Sequence, residues 1–253
     1  MEGKPLGRKS YGHVPHLPGS RMGPADKHCE PRQGEIATEK ARDENDLIIV
    51  QEKIDGSNVG VAKVNGEILP LNRAGHLAVT SPHENHQIFA AWIAKPPQQQ
   101  RFKALLKERE RICGEWLLQA HGTIYKLPHE PFVAFDLMTE DKHLPFEEAK
   151  QRIISHDITY VNTIHVGHPI SVEKALKLLG RGAHGAQEEV EGAIWRVERL
   201  FESKENKALR KYRHDFMVKF VKADKLDGKY MPKETGKAAI WNEYLGERIA
   251  HPE

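Results

Sequence analysis

The stretch Glu52-Lys53-Ile54-Asp55-Gly56-Ser57-Asn58 holds the residue types most suited to chemistry. An apolar run at residues 47–50 leads into it and the alternating residues 59–64 lead away, so Lys53 falls at a break between two predicted strands. A lysine amine attacks only when unprotonated, and neighbouring cations, a bound metal or desolvation in a pocket bring it to that state. Lys53 is therefore a candidate nucleophile. Asp55 could hold a metal near a phosphate under attack, and Gly56 lets backbone approach a ligand with no side chain between them. The plainer reading of Lys-x-Asp-Gly is a polar turn between strands, and these four residues alone are compatible with both.

Further along the chain, residues suited to binding a nucleotide or a polyanion arrive on successive predicted strand ends. Asn65-Gly66 separates residues 58–64 from 67–73, and a type I′ hairpin turn needs two residues tolerant of positive φ. The hairpin returns Arg73 toward the strand that begins beside Lys53, where a guanidinium suits bidentate phosphate contact. The alternative is a surface arginine ahead of the Ala74-Gly75 turn. Glu115 sits among apolar neighbours in the predicted strand 111–118 and needs a partner there, either a ribose hydroxyl or a nearby Lys or Arg. In the predicted strand 132–138, Phe135 is either a base-stacking ring or a core aromatic. Residues 190–197 open another strand with an acid followed by glycine, Glu191-Gly192. The predicted strand 215–222 carries Lys219 and Lys222 amid apolar residues, where two lysines ask for an anion unless both snorkel to the surface.

The elements that position these residues follow from pattern. Residues 1–34, rich in Gly, Pro and His, read as ordered loop. His13, His16, His28 and Cys29 fit no standard zinc spacing, and loop packing or a phosphate contact by Arg21 accounts for the segment better. Helices are predicted at 84–95, stopped by Pro96-Pro97, at 98–109, at 145–156 and at 171–179, the last with Ser171 as N-cap and Gly180 as stop. A strand is predicted at 158–166, and residues 235–250 read as one amphipathic helix with Ala239, Ile240, Tyr244 and Leu245 apolar.

Composition narrows the class. The chain of 253 residues is long enough for a substantial core, in one large or two small domains. Its 38 Lys+Arg nearly balance 36 Asp+Glu, but residues 196–233 hold twelve Lys/Arg against six Asp/Glu. Such a basic segment suits a polyanion, or simply forms a solvated face. Cys29 and Cys113 form no metal-spaced pair and no disulfide scaffold, which points to a reducing compartment. With no secretory signal at the N-terminus and no run of about 18 apolar residues, the expectation is a soluble cytoplasmic protein.

Taken together, these motifs resemble the covalent nucleotidyltransferase superfamily of ATP-dependent ligases and capping enzymes, and within it the RNA ligases of the RNA ligase 2 and RNA-editing-ligase type. Residues 52–58 agree with motif I throughout, including Glu52 and Asn58, which are typical of that branch. Asn72-Arg73-Ala74-Gly75 is similar to motif Ia, Gly114-Glu115 to motif III, Phe135-Asp136 to motif IIIa, Glu191-Gly192 to motif IV and residues 219–222 to motif V. His16-Leu17-Pro18-Gly19-Ser20-Arg21 is similar to the leader of some RNA ligases, so the resemblance covers residues 11–224.

The resemblance implies an α+β adenylyltransferase domain of antiparallel sheets flanked by helices around an ATP cleft, at residues 35–224. Residues 1–34 would be a packed leader and 225–253 a short tail with one helix, too short for an OB domain. It implies that Lys53 attacks the α-phosphate of ATP and releases pyrophosphate. By position, Arg73 would contact phosphate or sugar, Glu115 the ribose hydroxyls, and Phe135 would stack on adenine. Glu52 would help to hold the base, and Asn58 would help to order the metal or its waters. Asp55 and Glu191 would bind Mg²⁺ or Mn²⁺ through water, and Lys219 and Lys222 would neutralise charge at the α-phosphate. The AMP would then pass to an RNA 5′-phosphate and be displaced by a 3′-hydroxyl, with a protein partner or end-processing enzyme presenting the RNA. Motif V usually reads Lys-x-Lys. Here the spacing favours Lys219 at the phosphate and leaves Lys222 for nucleic acid. A minimal DNA ligase, a GTP-using capping enzyme and an end-binding protein that has lost the chemistry are the alternatives.

Overall fold

A computed structural model of the chain describes residues 3–202, 210–226 and 228–245. In chain order the elements are α1 (Pro31–Thr38), β1 (Asp46–Lys53), β2 (Ser57–Val64), β3 (Glu67–Asn72), a 3-10 turn (Ala78–Thr80), α2 (Glu84–Ala94), α3 (Pro96–Leu105), β4 (Glu110–Trp116), β5 (Lys126–Leu127), β6 (Phe132–Thr139), β7 (Lys142–His143), α4 (Phe146–Ile154), β8 (Thr163–Gly167), α5 (Val172–Leu179), β9 (Gly192–Glu202), β10 (Arg210–Val221), α6 (Pro232–Thr235) and β11 (Glu243–Tyr244). They fall into two compact units. The first comprises Met1–Gly12, Asp55–Tyr160 and Gly228–Glu253, and the second His13–Ile54 and Val161–Asp227. The division passes through the lysine motif, between Ile54 and Asp55.

In the first unit the sheet order is β3-β2-β4-β6-β7, with every pair antiparallel. The β2–β3 hairpin closes on Asn65 and Gly66 at φ 53° and 76°, the positive pair that a type I′ turn requires. Aromatic rings of α2 and α3 meet those of the sheet: Phe89 and Trp92 each lie 5.3 Å from Trp116 between ring centroids, and Phe102 lies 5.8 Å from Phe132. The expected break at Pro96-Pro97 is also the start of α3, because proline at the first helical position has no amide that needs a partner. That helix ends at Leu105, short of the expected 109, and Arg109 at φ 63° donates its amide to the Lys63 carbonyl at 2.8 Å.

The tail differs from expectation. Helix α6 stops after one turn because Gly236 takes the left-handed conformation at φ 65°. The chain then runs extended, with the Ala120 amide donating to the Ile240 carbonyl and the buried Asn242 side chain bonding Leu117 and Tyr125 backbone. Residues 236–245 are thus not helical, and the remainder of the expected helix, 246–250, lies outside the described residues. Trp241 and Tyr244 pack on the core while Ile240 and Leu245 stay exposed.

The second unit is built on the antiparallel sheet β10-β9-β1-β8. Its buried face gathers Ile48, Val50, Trp195, Val197 and Val218 with Ile36 and Ala37 of α1 and Ala175 of α5. The expectation of loop through residue 34 misses α1, which opens on Pro31 with the Glu30 amide donating to Gln33 Oε1 at 3.1 Å. The first strand after α4 begins at Thr163 rather than 158. In α5 the Ser171 hydroxyl accepts the Lys174 amide at 3.3 Å and Gly180 ends the helix, as the pattern predicts.

Asp46, at the head of β1, has a fully buried carboxylate that Arg42 meets at 2.8 Å and Arg199 at 2.6 Å. Burial alone would raise its pKa, yet the Arg42 hydrogen bonds and the Arg199 contact hold it below the ordinary carboxylate value. Its stabilisation is therefore present above the unfolded pKa near 4 and is lost as pH falls through the depressed folded value. Asp46→Asn should cost about 3 kcal/mol at neutral pH. In paired denaturation curves the gap from wild type should close as pH falls below about 4; a gap independent of pH would rule out the ion pair as its source.

Candidate active site

Lys53 is the last residue of β1 and pairs with Gly192 on β9, which pairs in turn with Val221 on β10. Two residues along each strand, Gln51, Ile194 and Lys219 align in the same way. Side chains two apart on a strand share a face, so Lys53 and Lys219 stand on one face of this sheet and Glu52 on the other. Lys53 Nζ donates to Glu191 Oε2 at 2.5 Å, both side chains being largely buried. Burial and the Lys53 charge push the Lys219 ammonium below its usual pKa, while Asp26 and Glu191 act in the opposite direction. Lys222, just past β10, turns to Glu189 at 2.7 Å near the surface, while its backbone amide donates to the Glu191 carbonyl.

Glu52 has a structural partner in this unit. Its Oε2 accepts the Ala183 amide at 3.0 Å, and Gly182, at φ +71°, leaves the space a side chain would take from that carboxylate. Burial raises the Glu52 pKa against the pull of the Ala183 amide. The carboxylate thereby fixes the loop that precedes β9.

The other motif residues belong to the first unit. Asp55 Oδ2 accepts the Gly122 amide at 2.7 Å, and the Asp55 amide donates to the Tyr125 hydroxyl at 3.1 Å. A Cβ at Gly56 would lie 2.7 Å from the Trp116 carbonyl oxygen and 3.2 Å from Glu115 Cγ, so glycine is what lets this loop lie against β4. Asn58 pairs with Glu115 across β2 and β4. Its Oδ1 is buried with no hydrogen-bond partner among the described residues, an acceptor that needs a donor. Arg73 follows β3 and donates Nη2 to the Gly12 carbonyl at 3.2 Å, while its own carbonyl accepts the Ser10 amide.

Phe135 is re-aimed by a bulge. The β4–β6 ladder pairs Cys113 with Asp136 and Gly114 with Ala134, leaving Phe135 as the extra residue. It is half-buried, unlike its neighbour Phe132, which is in the core. Tyr11 packs edge-on against it at 5.0 Å and donates its hydroxyl to the buried Asp136 at 3.0 Å. His143 holds the same carboxylate oxygen at 2.5 Å.

Several participants are absent from the sequence-based set. Asp26 lies 3.4 Å from Lys219 and 2.9 Å from His13. Tyr125 supports the Asp55 backbone, and Ser57 Oγ accepts from Asn85 at 2.9 Å and lies 3.2 Å from His121. Their separation from the motif by tens of residues left no local signal. The exception is Ser57, whose place inside the motif marked it.

Comparison with known proteins gives the arrangement a family. The RNA ligase family model matches residues 46–213, and the chain belongs to that family. Among solved structures, a mutant RNA ligase from Naegleria gruberi with ATP and Mn aligns at TM-score 0.50 and 14% identity, over 83% of this chain and 60% of that one. Two forms of an archaeal ATP-dependent RNA ligase align at TM-scores of 0.40 and 0.43 with 20% and 18% identity, covering 70% and 83% of this chain. They are covered over 42% and 48% of their own lengths, so this chain spans about half of those structures. No curated protein matches it by sequence. No helix among the described residues is long and apolar enough to cross a membrane.

Among the described residues no group of three or more His, Cys, Asp or Glu side chains is arranged to hold a metal ion. Asp55 and Glu191 are hard oxygen donors, the type suited to Mg²⁺ or Mn²⁺, which take one or two carboxylates and complete their shell with water and substrate phosphate.

Proposed function

We propose that the chain is an ATP-dependent RNA ligase whose nucleophile is Lys53. The reading rests on the second unit's sheet face, where Lys53 meets Glu191 and its charge acts on Lys219, in a chain of the RNA ligase family. In this reading residues 35–224 are the adenylyltransferase domain, with 1–34 as leader and 225–253 as tail. The Lys53 amine attacks the α-phosphorus of ATP, an N–P bond forms, and the bond to pyrophosphate breaks with its electron pair leaving on the pyrophosphate. Lys219 meets the charge on the α-phosphate, and Lys222 exchanges Glu189 for nucleic acid. Glu191 and Asp55 would each offer a carboxylate to a divalent ion through water, and that ion would offset negative charge on the phosphates. Asn58 would help to order that ion or its waters through its buried Oδ1. Arg73 takes phosphate or sugar, Glu115 the ribose hydroxyls, and Glu52 shapes the base side through the loop it fixes. Transfer of AMP to an RNA 5′-phosphate and its displacement by a 3′-hydroxyl complete the cycle, with the RNA delivered by a protein partner or end-processing enzyme.

The test is incubation of the protein with α-labelled ATP and Mg²⁺, digestion, and mapping of the adduct by mass, followed by a chase with 5′-phosphorylated RNA. An AMP adduct on the peptide containing Lys53 that the RNA discharges supports the reading. Absence of any adduct on folded protein defeats it and leaves the end-binding alternative. Phe135 offers an independent check, because stacking on a base is worth about 1–3 kcal/mol. Phe135→Ala should raise the ATP concentration for half-maximal labelling about tenfold, and Phe135→Trp should restore it. Equal curves for Ala and wild type would return Phe135 to a packing role.

A further inference from the structure

Asp26 lies in the leader, outside every motif, yet its carboxylate is engaged from several sides beside Lys219. Oδ1 lies 2.9 Å from His13 Nε2 and accepts from Lys219 Nζ at 3.4 Å. Oδ2 accepts the Gly23 amide at 2.9 Å and lies 3.0 Å from His16 Nε2. His16 is buried, and its Nδ1 lies 2.6 Å from the Ser20 hydroxyl, which in turn accepts the Val221 amide. The leader also grips the lysine's own backbone: the Lys219 amide donates to the Pro15 carbonyl, and the Leu17 amide donates to the Lys219 carbonyl.

A carboxylate beside a site for a triphosphate repels its substrate, so its presence there needs a compensating reason. Lys219 supplies one. Its neighbours include the cation Lys53, and burial disfavours its charged form, so without a counter-ion it would tend to lose the proton that makes it useful to a phosphate. Asp26 is fit for that task because burial, which would raise its pKa, is overcome by the Gly23 amide, His13 and Lys219. His16, pushed down to about 4 by burial and the Lys219 charge, stays neutral and adds no competing cation. At 3.4 Å the contact with Lys219 is also loose enough to be given up.

Resting on the function proposed above, we propose that Asp26 is a positioning residue for adenylyl transfer: it keeps Lys219 charged and aimed until the α-phosphate takes its place as the lysine's counter-ion. The groups facing Lys219 that enter the pH response are Asp26, His16, Lys53 and Glu191, with His13 acting through Asp26.

The test is single-turnover lysyl-AMP formation at saturating ATP from about pH 6 to about pH 10 for wild type, Asp26→Asn, Asp26→Glu, Lys219→Ala and Asp26→Asn/Lys219→Ala, with thermal unfolding of each. Asp26→Asn should slow the step about tenfold and bring its alkaline limb about one pH unit lower, because Lys219 loses the group that raises its pKa. Asp26→Glu should recover most of the rate. In the Lys219→Ala background the Asp26 change should do nothing further, the non-additivity expected of residues that act as a unit. Asp26→Ser, which also removes the charge, serves if Asp26→Asn does not fold and should move the limb the same way. An unmoved alkaline limb in the folded charge-removing variant, or losses that add in full, overturns the proposal while leaving the ligase reading intact. A wild type that forms no adduct overturns both.

Discussion

Lys53→Arg is expected to abolish covalent labelling by ATP, by at least about 10³-fold, while leaving the protein folded. Arginine keeps the positive charge and can still donate to Glu191, which in the wild type lies 2.5 Å from Nζ. A guanidinium stays protonated at every accessible pH and has no lone pair to offer phosphorus. The substitution therefore separates the two roles that one side chain holds here, ion-pair partner and nucleophile. Lys53→Ala should lose labelling as well, but it also takes the ammonium from a largely buried Glu191 carboxylate and should unfold at a lower temperature. Denaturing gels after labelling, read beside thermal unfolding of all three proteins, check the prediction. Retained labelling in the arginine variant would place the nucleophile elsewhere.

Gly192→Ala is expected to destabilise the second unit by about 3 kcal/mol or more, lowering the unfolding temperature by roughly 6–12 °C. A Cβ at this position would overlap the Phe220 carbonyl and lie 3.2 Å from Val221 Cα. These are backbone atoms of the neighbouring strand, so no rotamer change relieves the overlap. Strands β9 and β10 would have to part next to Glu191 and Lys219, and labelling should fall with stability. Gly66→Ala makes a useful contrast: no atom lies within 4 Å of its Cβ, although its φ of +76° still carries a local strain cost. Calorimetry that finds Gly192→Ala no worse than Gly66→Ala would show that the strand pair yields more easily than the geometry implies.

Much of this was legible from the chain alone, for identifiable reasons. Period-two alternation and the Asn65-Gly66 pair fix the β2–β3 hairpin, and Ser171 with Gly180 brackets α5, because these signals are local. The family motifs likewise lie within a few residues of one another. What escaped is non-local or tertiary. The tail carries apolar residues at helical spacing, but Gly236 and hydrogen bonds to residues 117–127 draw it out into an extended strand. Tyr125 and Asp26 reach their partners across 70 and 193 positions of sequence, distances over which pattern carries no information. Glu52 shows another limit, since strand alternation turns it from Lys53 although the two are adjacent in the motif.

The leader's pairing with β10 also bears on how the protein must be handled. Strand β10 closes its sheet on one side, and an open strand edge invites pairing with another chain. Residues 15–21 cover the edge at Lys219 and Val221 through backbone hydrogen bonds, while farther along Arg210, Lys211 and Arg213 guard it with charge. A truncation that begins at residue 22 would strip the covered part and leave Val218, Phe220 and Val221 on a bare edge. Its first symptom should be aggregation during expression, visible by light scattering before any loss of secondary structure.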